Sequence, residues 1–197
     1  MTAKLLLLHP IEGVPAEMSD EALLAACGAG DAPALGALFD RHHAAVYRFL
    51  SRLARTDAAA IDDLVQATFL EVRAASRRFG GRAAVRTWIL GIAANVVRHS
   101  VRSETRRKGM LLACARLPQA DVPTPDRVAE RRELLERLAA ALRLLPHDLR
   151  VAFVLCDLEE IRGVEVARAL GIREGTLWRR LHDARQALRD AIEGRPG

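Results

Sequence analysis

The chain has 197 residues, half of them apolar and eight aromatic, and its 30 basic and 25 acidic side chains leave a net charge of +5. That length holds one domain or two small ones able to bury a core. Cys27, Cys114 and Cys156 are odd in number and far apart, which argues against a disulfide framework or zinc site, and no window approaches the roughly 18 apolar residues of a membrane span.

Ala, Leu and Arg dominate, a composition that suits helix throughout, and no strand alternation of useful length interrupts it. Leu5 to Leu8 is too short for a signal-peptide core and is followed by Pro10, Glu12 and Pro15. Met18-Ser19-Asp20-Glu21 makes a natural start with Ser19 or Asp20 as helix cap, so residues 1–17 are expected to be a disordered extension. A first helix is expected from about Asp20 to Cys27, ended by Gly28-Ala29-Gly30. A second starts near Asp31 with Pro33 in its first turn, and its stripe is Leu35, Leu38, Phe39, His42, Val46, Phe49, Leu50 and Leu53. On that stripe His42 reads as a packed core histidine rather than a metal ligand. A third helix turns Ile61, Leu64, Val65, Thr68, Phe69 and Val72 inward and leaves Asp62, Asp63, Gln66 and Glu71 outside.

Phe79-Gly80-Gly81-Arg82-Ala83 breaks the pattern and predicts a flexible basic loop. The fourth helix points Val85, Trp88, Ile89, Ile92, Ala93, Val96 and Val97 inward. Arg86, Arg98, Arg102, Arg106 and Arg107 project from it or from its continuation. Periodicity fades after Lys108, and Pro118, Pro123 and Pro125 mark a linker. Regular spacing resumes near Asp126 with Leu134, Leu135, Leu138, Ala141, Leu142 and Leu145. Pro146 then separates a helix carrying Leu149, Ala152, Phe153 and Cys156.

Gly163 to Ala184 reads as a helix-turn-helix. Ala167 is small where the second helix must cross closely, and Gly171 supplies a turn position that tolerates a left-handed backbone. Val166, Leu170, Ile172, Leu177 and Leu181 would clamp the pair. The second helix shows solvent Thr176, Trp178, Arg179, Arg180, His182 and Asp183, and helices of this type enter the major groove of DNA. The competing reading of this segment is an ordinary helical hairpin. Charge is unevenly spread: residues 1–70 carry 5 basic and 9 acidic side chains, 71–116 carry 11 and 2, 117–170 carry 8 and 10, and 171–197 carry 6 and 4. A basic block followed much later by a basic reading helix suggests two separate contacts with a polyanion, although Arg can also simply solvate a helix face.

Four stretches together resemble the sigma factors of bacterial RNA polymerase, specifically the extracytoplasmic-function (ECF) group. Asp62-Asp63-Leu64-Val65-Gln66-Ala67-Thr68-Phe69-Leu70 resembles the polymerase-docking helix. Arg86-Thr87-Trp88-Ile89-Leu90-Gly91-Ile92-Ala93-Ala94-Asn95 resembles the promoter-melting helix. Leu145-Pro146-His147-Asp148-Leu149-Arg150 resembles the turn that opens the second domain. Gly171 to Thr176, with Arg180-Leu181-His182 and Arg185, resembles its reading helix.

The resemblance implies an all-α protein of two small helical domains joined by a flexible linker, the second containing the helix-turn-helix. Region 2 would span 18–108, the linker 109–127 and region 4 128–197. It implies core RNA polymerase as partner, through its β′ and β subunits, with Asp62, Asp63 and Gln66 docking on the β′ coiled coil. Promoter DNA would be bound single-stranded at the −10 element and as duplex at the −35 element. Arg82 in its loop and Asn95 would line a pocket for a −10 base, an Asn offering both donor and acceptor, while Arg98, Arg102, Arg106 and Arg107 grip phosphates. Trp88 could stack on bases, but its place on the apolar stripe favours core packing. Arg173, Thr176, Trp178, Arg179, His182 and Asp183 would face the −35 element. Trp178, Arg179 and Asp183 depart from the common family pattern, so no known −35 motif carries over. The family commonly has an anti-sigma partner, which nothing in this sequence identifies.

No cofactor, metal site, catalytic residue or membrane insertion is expected, and the chain reads as cytoplasmic. An autonomous helix-turn-helix regulator is the chief alternative, but it has no need of the Gly-Gly loop or the Arg-rich fourth helix. An enzyme acting on nucleic acid fits poorly. Asp62-Asp63, Glu159-Glu160 and His42-His43 are neighbours in sequence, so on a helix they diverge by about 100° instead of converging on a metal.

Overall fold

A computed structural model describes residues 18–54, 56–110 and 127–193, with the side chains of 101–135 outside that description. Every regular element among the described residues is helical. Three helices start at side-chain caps. Ser19 Oγ accepts the Ala22 N–H at 3.2 Å to open α1 (Asp20–Ala29), and Asp31 accepts that of Ala34 at 3.2 Å to open α2 (Ala32–Leu53). Asp57 accepts the Ala60 N–H at 2.9 Å to open α3 (Ala58–Ala75). Each cap satisfies one of the amides that a helix start leaves without a partner. A 3-10 turn (Ser76–Arg78) and the Phe79–Ala84 loop lead to α4 (Val85–Met110). After residues 111–126, where most of the expected linker falls outside the described residues, come α5 (Arg127–Leu144) and α6 (His147–Phe153). A π-helical turn (Val154–Leu158) continues α6, followed by α7 (Gly163–Leu170) and α8 (Glu174–Glu193).

The apolar stripes pack as their spacing predicts. Leu38, Val46, Phe49 and Leu50 of α2 are fully buried with Leu23 and Leu24 of α1, Val72 of α3 and Ile89, Leu90 and Ala93 of α4. Each such leucine or phenylalanine contributes about 1.5–3 kcal/mol by leaving water. His42 is buried on the stripe as expected, and its Nε2 lies 2.8 Å from Asp20 Oδ2. Arg41 donates to the other oxygen of Asp20 at 2.9 Å and to the Met18 carbonyl at 2.7 Å, which ties the start of α1 to α2.

The two helical blocks also pack on each other, which spacing along the chain does not reveal. One continuous core runs from α1–α4 into Val151, Ala152, Val154, Leu155, Val166, Ala167 and Leu177 of the second block. A smaller cluster joins Ala141, Leu142 and Leu145 to Ala184 and Leu188 of α8. Periodicity marks which face of a helix is apolar but not what covers it. No helix among the described residues is long and apolar enough to cross a membrane.

Candidate polymerase and nucleic-acid surfaces

The outer face of α3 carries exposed Asp63 and Gln66, half-buried Asp62, and Leu70, which is 64% exposed. Positions 63, 66 and 70 recur at three and four, so they share one face. Acids beside an exposed apolar side chain can pair with a partner's arginines while the leucine fills a hollow.

Trp88 is half-buried against the main core, with its ring edge-on to Phe79 at a centroid distance of 5.2 Å. That geometry agrees with core packing. Arg82 is exposed in the loop before α4, and Asn95 is exposed on α4 itself. Arg98 lies one turn beyond Asn95, and its Nη2 donates to Asp148 Oδ1 of the second block at 2.7 Å. Arg102, Arg106 and Arg107 follow on the same helix, and their side chains lie outside the described residues.

The helix-turn-helix forms as the sequence predicts. Gly171 has φ of +65°, the left-handed conformation that ends α7 and turns the chain into α8. Val166, Leu177 and Leu181 are fully buried between the helices and the core. Arg173, Arg179, His182 and Asp183 are exposed and Thr176 is half-buried. Trp178 is 50% exposed, and its ring lies over Gly163 so closely that a Cβ there would come within 2.7 Å of it. Arg180 departs from the expected solvent-facing run: it is half-buried and donates to Asp148 Oδ2 at 2.6 Å. Position 180 adjoins buried Leu177 and Leu181, so it borders α6 instead of open water. Arg185 makes two hydrogen bonds to Asp157, at 2.8 and 2.6 Å, and this pairing raises the arginine pKa further.

Single-sequence reasoning missed a set of acids at the joint between blocks. The Glu159 carboxylate, 8% exposed, accepts from Arg52 of α2 and Arg86 of α4 at 2.5 Å each. Glu165 of α7 accepts from the Thr87 hydroxyl at 2.5 Å and the Ala84 N–H at 3.1 Å. Asp148 holds Arg98 and Arg180 together. One signal for this pairing was present: the basic block at 71–116 has its counterpart in the acid-rich stretch 117–170.

Burial works against a reactive thiolate at both described cysteines, Cys27 and Cys156. Burial pushes the Cys156 thiol up to about 11, with Asp157 adding to the shift, and burial likewise raises Cys27. Cys114 lies outside the described residues.

His147, at the start of α6, has its Nε2 buried without a hydrogen-bond partner. Burial, then the nearby Arg98 charge, lower its pKa below the ordinary 6.5, against smaller opposing effects from Asp148 and a backbone hydrogen bond to Ala94. The fold therefore favours the neutral form of His147 more than the unfolded chain does. Its contribution to stability is complete above the unfolded value and is lost as pH falls through the lower folded value. Between about pH 7.5 and about pH 5.5 the urea midpoint should fall more for the unaltered chain than for His147→Leu. Equal falls would show that His147 carries none of the acid sensitivity.

Comparison with known proteins shows the family. The family descriptions Sigma-70 region 2 and Sigma-70 region 4 match residues 38–107 and 135–188. The ECF RNA polymerase sigma factor SigM of Mycobacterium tuberculosis is 36% identical over 173 residues, covering 87% of this chain and 84% of SigM. The chain belongs to the ECF sigma factors. SigE of Mycolicibacterium smegmatis, another ECF sigma factor, is 34% identical over 162 residues, or 81% of this chain, which spans 62% of the length of SigE. Among solved structures, CnrH in complex with the cytosolic domain of CnrY has a TM-score of 0.62 at 24% identity, covering 90% of this chain and 99% of CnrH. The sigma factor RpoE in complex with the anti-sigma factor NepR, from Bartonella quintana, has a TM-score of 0.55 at 22% identity over 76% of this chain and 90% of RpoE. Both share the fold. As an alternative sigma factor the chain directs RNA polymerase in transcription initiation.

Proposed function

We propose that three surfaces of this sigma factor divide the work of initiation. The outer face of α3 docks on the β′ coiled coil through Asp62, Asp63 and Gln66. The loop before α4, with Arg82 and Asn95, captures a base that has left the −10 stack, and Arg98, Arg102, Arg106 and Arg107 hold the separated strand by its phosphates. The α8 helix reads the −35 duplex through Arg173, Thr176, Trp178, Arg179, His182 and Asp183. Region 2 corresponds to 18–108 and region 4 to 128–197, joined through 109–127 and preceded by the 1–17 extension. With both elements held on one polymerase, two weak contacts act together at high effective concentration. The protein performs no catalytic step and works in the cytoplasm. Opening draws on binding energy alone.

The observation that carries this reading is the outward face of α8, where Arg179, His182 and Asp183 are exposed beside half-exposed Trp178 at the start of a reading helix. An arginine there can bond a guanine edge through two parallel hydrogen bonds. Arg179→Ala should therefore cost roughly 1–3 kcal/mol of discrimination at one −35 position. Transcription from a library randomised across that element measures it directly. An unchanged base preference would remove Arg179 from the reading surface.

A further inference from the structure

Trp178 differs in kind from the other side chains on the outward face of α8. Arg173, Thr176, Arg179, His182 and Asp183 carry charge or hydrogen-bonding groups, whereas Trp178 offers a half-exposed and mainly apolar ring. The edge of that ring lies over Gly163 at the start of α7. A Cβ built on Gly163 would stand 2.7 Å from Trp178 Cζ2, 2.8 Å from Cη2 and 3.4 Å from Cε2. Gly163 is buried within helix and has no positive φ, so its missing Cβ supplies room for the ring and not a backbone freedom. Leu177 and Leu181 of α8 are fully buried, which fixes the helix that carries the indole. A side chain already held in place gives up little freedom when it meets a partner. In the major groove, the apolar feature that distinguishes bases is the thymine 5-methyl group. The indole N–H is a single donor, and N7 accepts in both adenine and guanine, so a hydrogen bond from it separates the purines poorly. Apolar contact with a methyl group is the discrimination this side chain can make.

We propose that Trp178 is a specificity-determining residue that selects thymine at one position of the −35 duplex by covering its 5-methyl group. Gly163 is the positioning residue that lets the ring lie where it can do so. The inference rests on the proposed placing of α8 in that duplex and adds the chemical feature read there. Covering the methyl group removes it from water, a gain comparable to burying about one CH2. Cytosine lacks that group, so a C·G pair loses the contact without any clash. Arg179, the next residue, keeps its own guanine edge, and the two neighbours divide apolar from polar recognition.

Removing single methyl groups from the promoter tests this. Holoenzyme assembled from the full chain and core polymerase first selects a preferred −35 element from a randomised library. Each thymine of that element, on either strand, is then replaced in turn by uracil, which lacks only the methyl group. At one thymine the replacement should lower initiation about fourfold. Trp178→Ala should bring thymine and uracil level at that position, and 5-methylcytosine should outperform cytosine there only with the unaltered chain. Gly163→Ala should narrow the thymine-to-uracil ratio at the same position and leave the preference assigned to Arg179 unchanged. Its added methyl meets the far end of a side chain, so the ring swings away while α7 keeps its place. If Gly163→Ala fails to fold, Trp178→Ala decides. A −35 element with no methyl-sensitive thymine, or a sensitivity that survives Trp178→Ala, would overturn the proposal. Uniform weakening across all sequences in Trp178→Ala would overturn it too, by making the ring a contact to the DNA backbone. Failure of the sigma-factor reading would show separately, as no polymerase-dependent transcription from any library member with the unaltered chain.

Discussion

Replacing Asp63 with arginine is expected to abolish association with core RNA polymerase while leaving the helical fold intact. Asp63 is exposed on α3, with Gln66 and Leu70 continuing the same face. Nothing in the core depends on it, since α3 is capped by Asp57 and buried through Ile61, Val65, Phe69 and Val72. Surface substitutions of this kind usually change stability by no more than about 0.5 kcal/mol. Across an interface the balance is different. If the partner presents arginine to Asp63, reversal replaces attraction with like-charge repulsion, which costs several kcal/mol. A loss of binding of at least about a hundredfold follows, since each 1.4 kcal/mol is tenfold. Circular dichroism should be unchanged and co-purification with core polymerase should fail. Normal co-purification would remove α3 from the docking surface.

The second large effect concerns stability. Arg150 is 5% exposed, and its guanidinium donates to the carbonyls of Leu53 at 2.5 Å, Leu145 at 2.7 Å and Arg143 at 2.9 Å. Those carbonyls belong to the end of α2, the turn before α6 and the end of α5, so one side chain gathers three chain segments. Arg150→Met keeps much of the volume but leaves the buried Leu53 and Leu145 carbonyls and the part-buried Arg143 carbonyl without this donor. Hydrogen bonds to a charged group are worth about 1.5–3 kcal/mol each, and effects within one network are not additive. A loss of about 3–5 kcal/mol is expected for the variant. Urea unfolding at neutral pH measures it, and a change below about 1 kcal/mol would mean that water replaces the guanidinium without penalty.

The helices were legible because their signals are local. Ser19 and Asp31 each sit one residue before a helix and accept an amide three residues on, and Gly171 marks the turn between α7 and α8. The outward placement of Asp63, Gln66, Arg179, His182 and Asp183 followed from the same periodicity, and the structure leaves them exposed. Relations between distant segments were not legible. Arg98 and Arg180 read as free cations because each belongs to a polar face, and only the packed chain brings Asp148 between them. The packing of one block on the other was not legible, because a stripe on α4 does not say that α7 will lie against Gly91. The roles of individual side chains toward DNA depend on a nucleic acid that the sequence does not contain. Trp178, Arg179 and Asp183, where the sequence departs from the common family pattern, are the positions from which we propose that an unfamiliar −35 preference originates.

In vitro transcription with purified core polymerase over a genomic promoter library, with and without this chain, tests the central claim most directly. The expected result is a set of new transcripts whose start sites share two elements at constant spacing, appearing only when the chain is added. No initiation, together with tight duplex binding by the chain in the absence of polymerase, would contradict it and point instead to a regulator that acts without joining the enzyme.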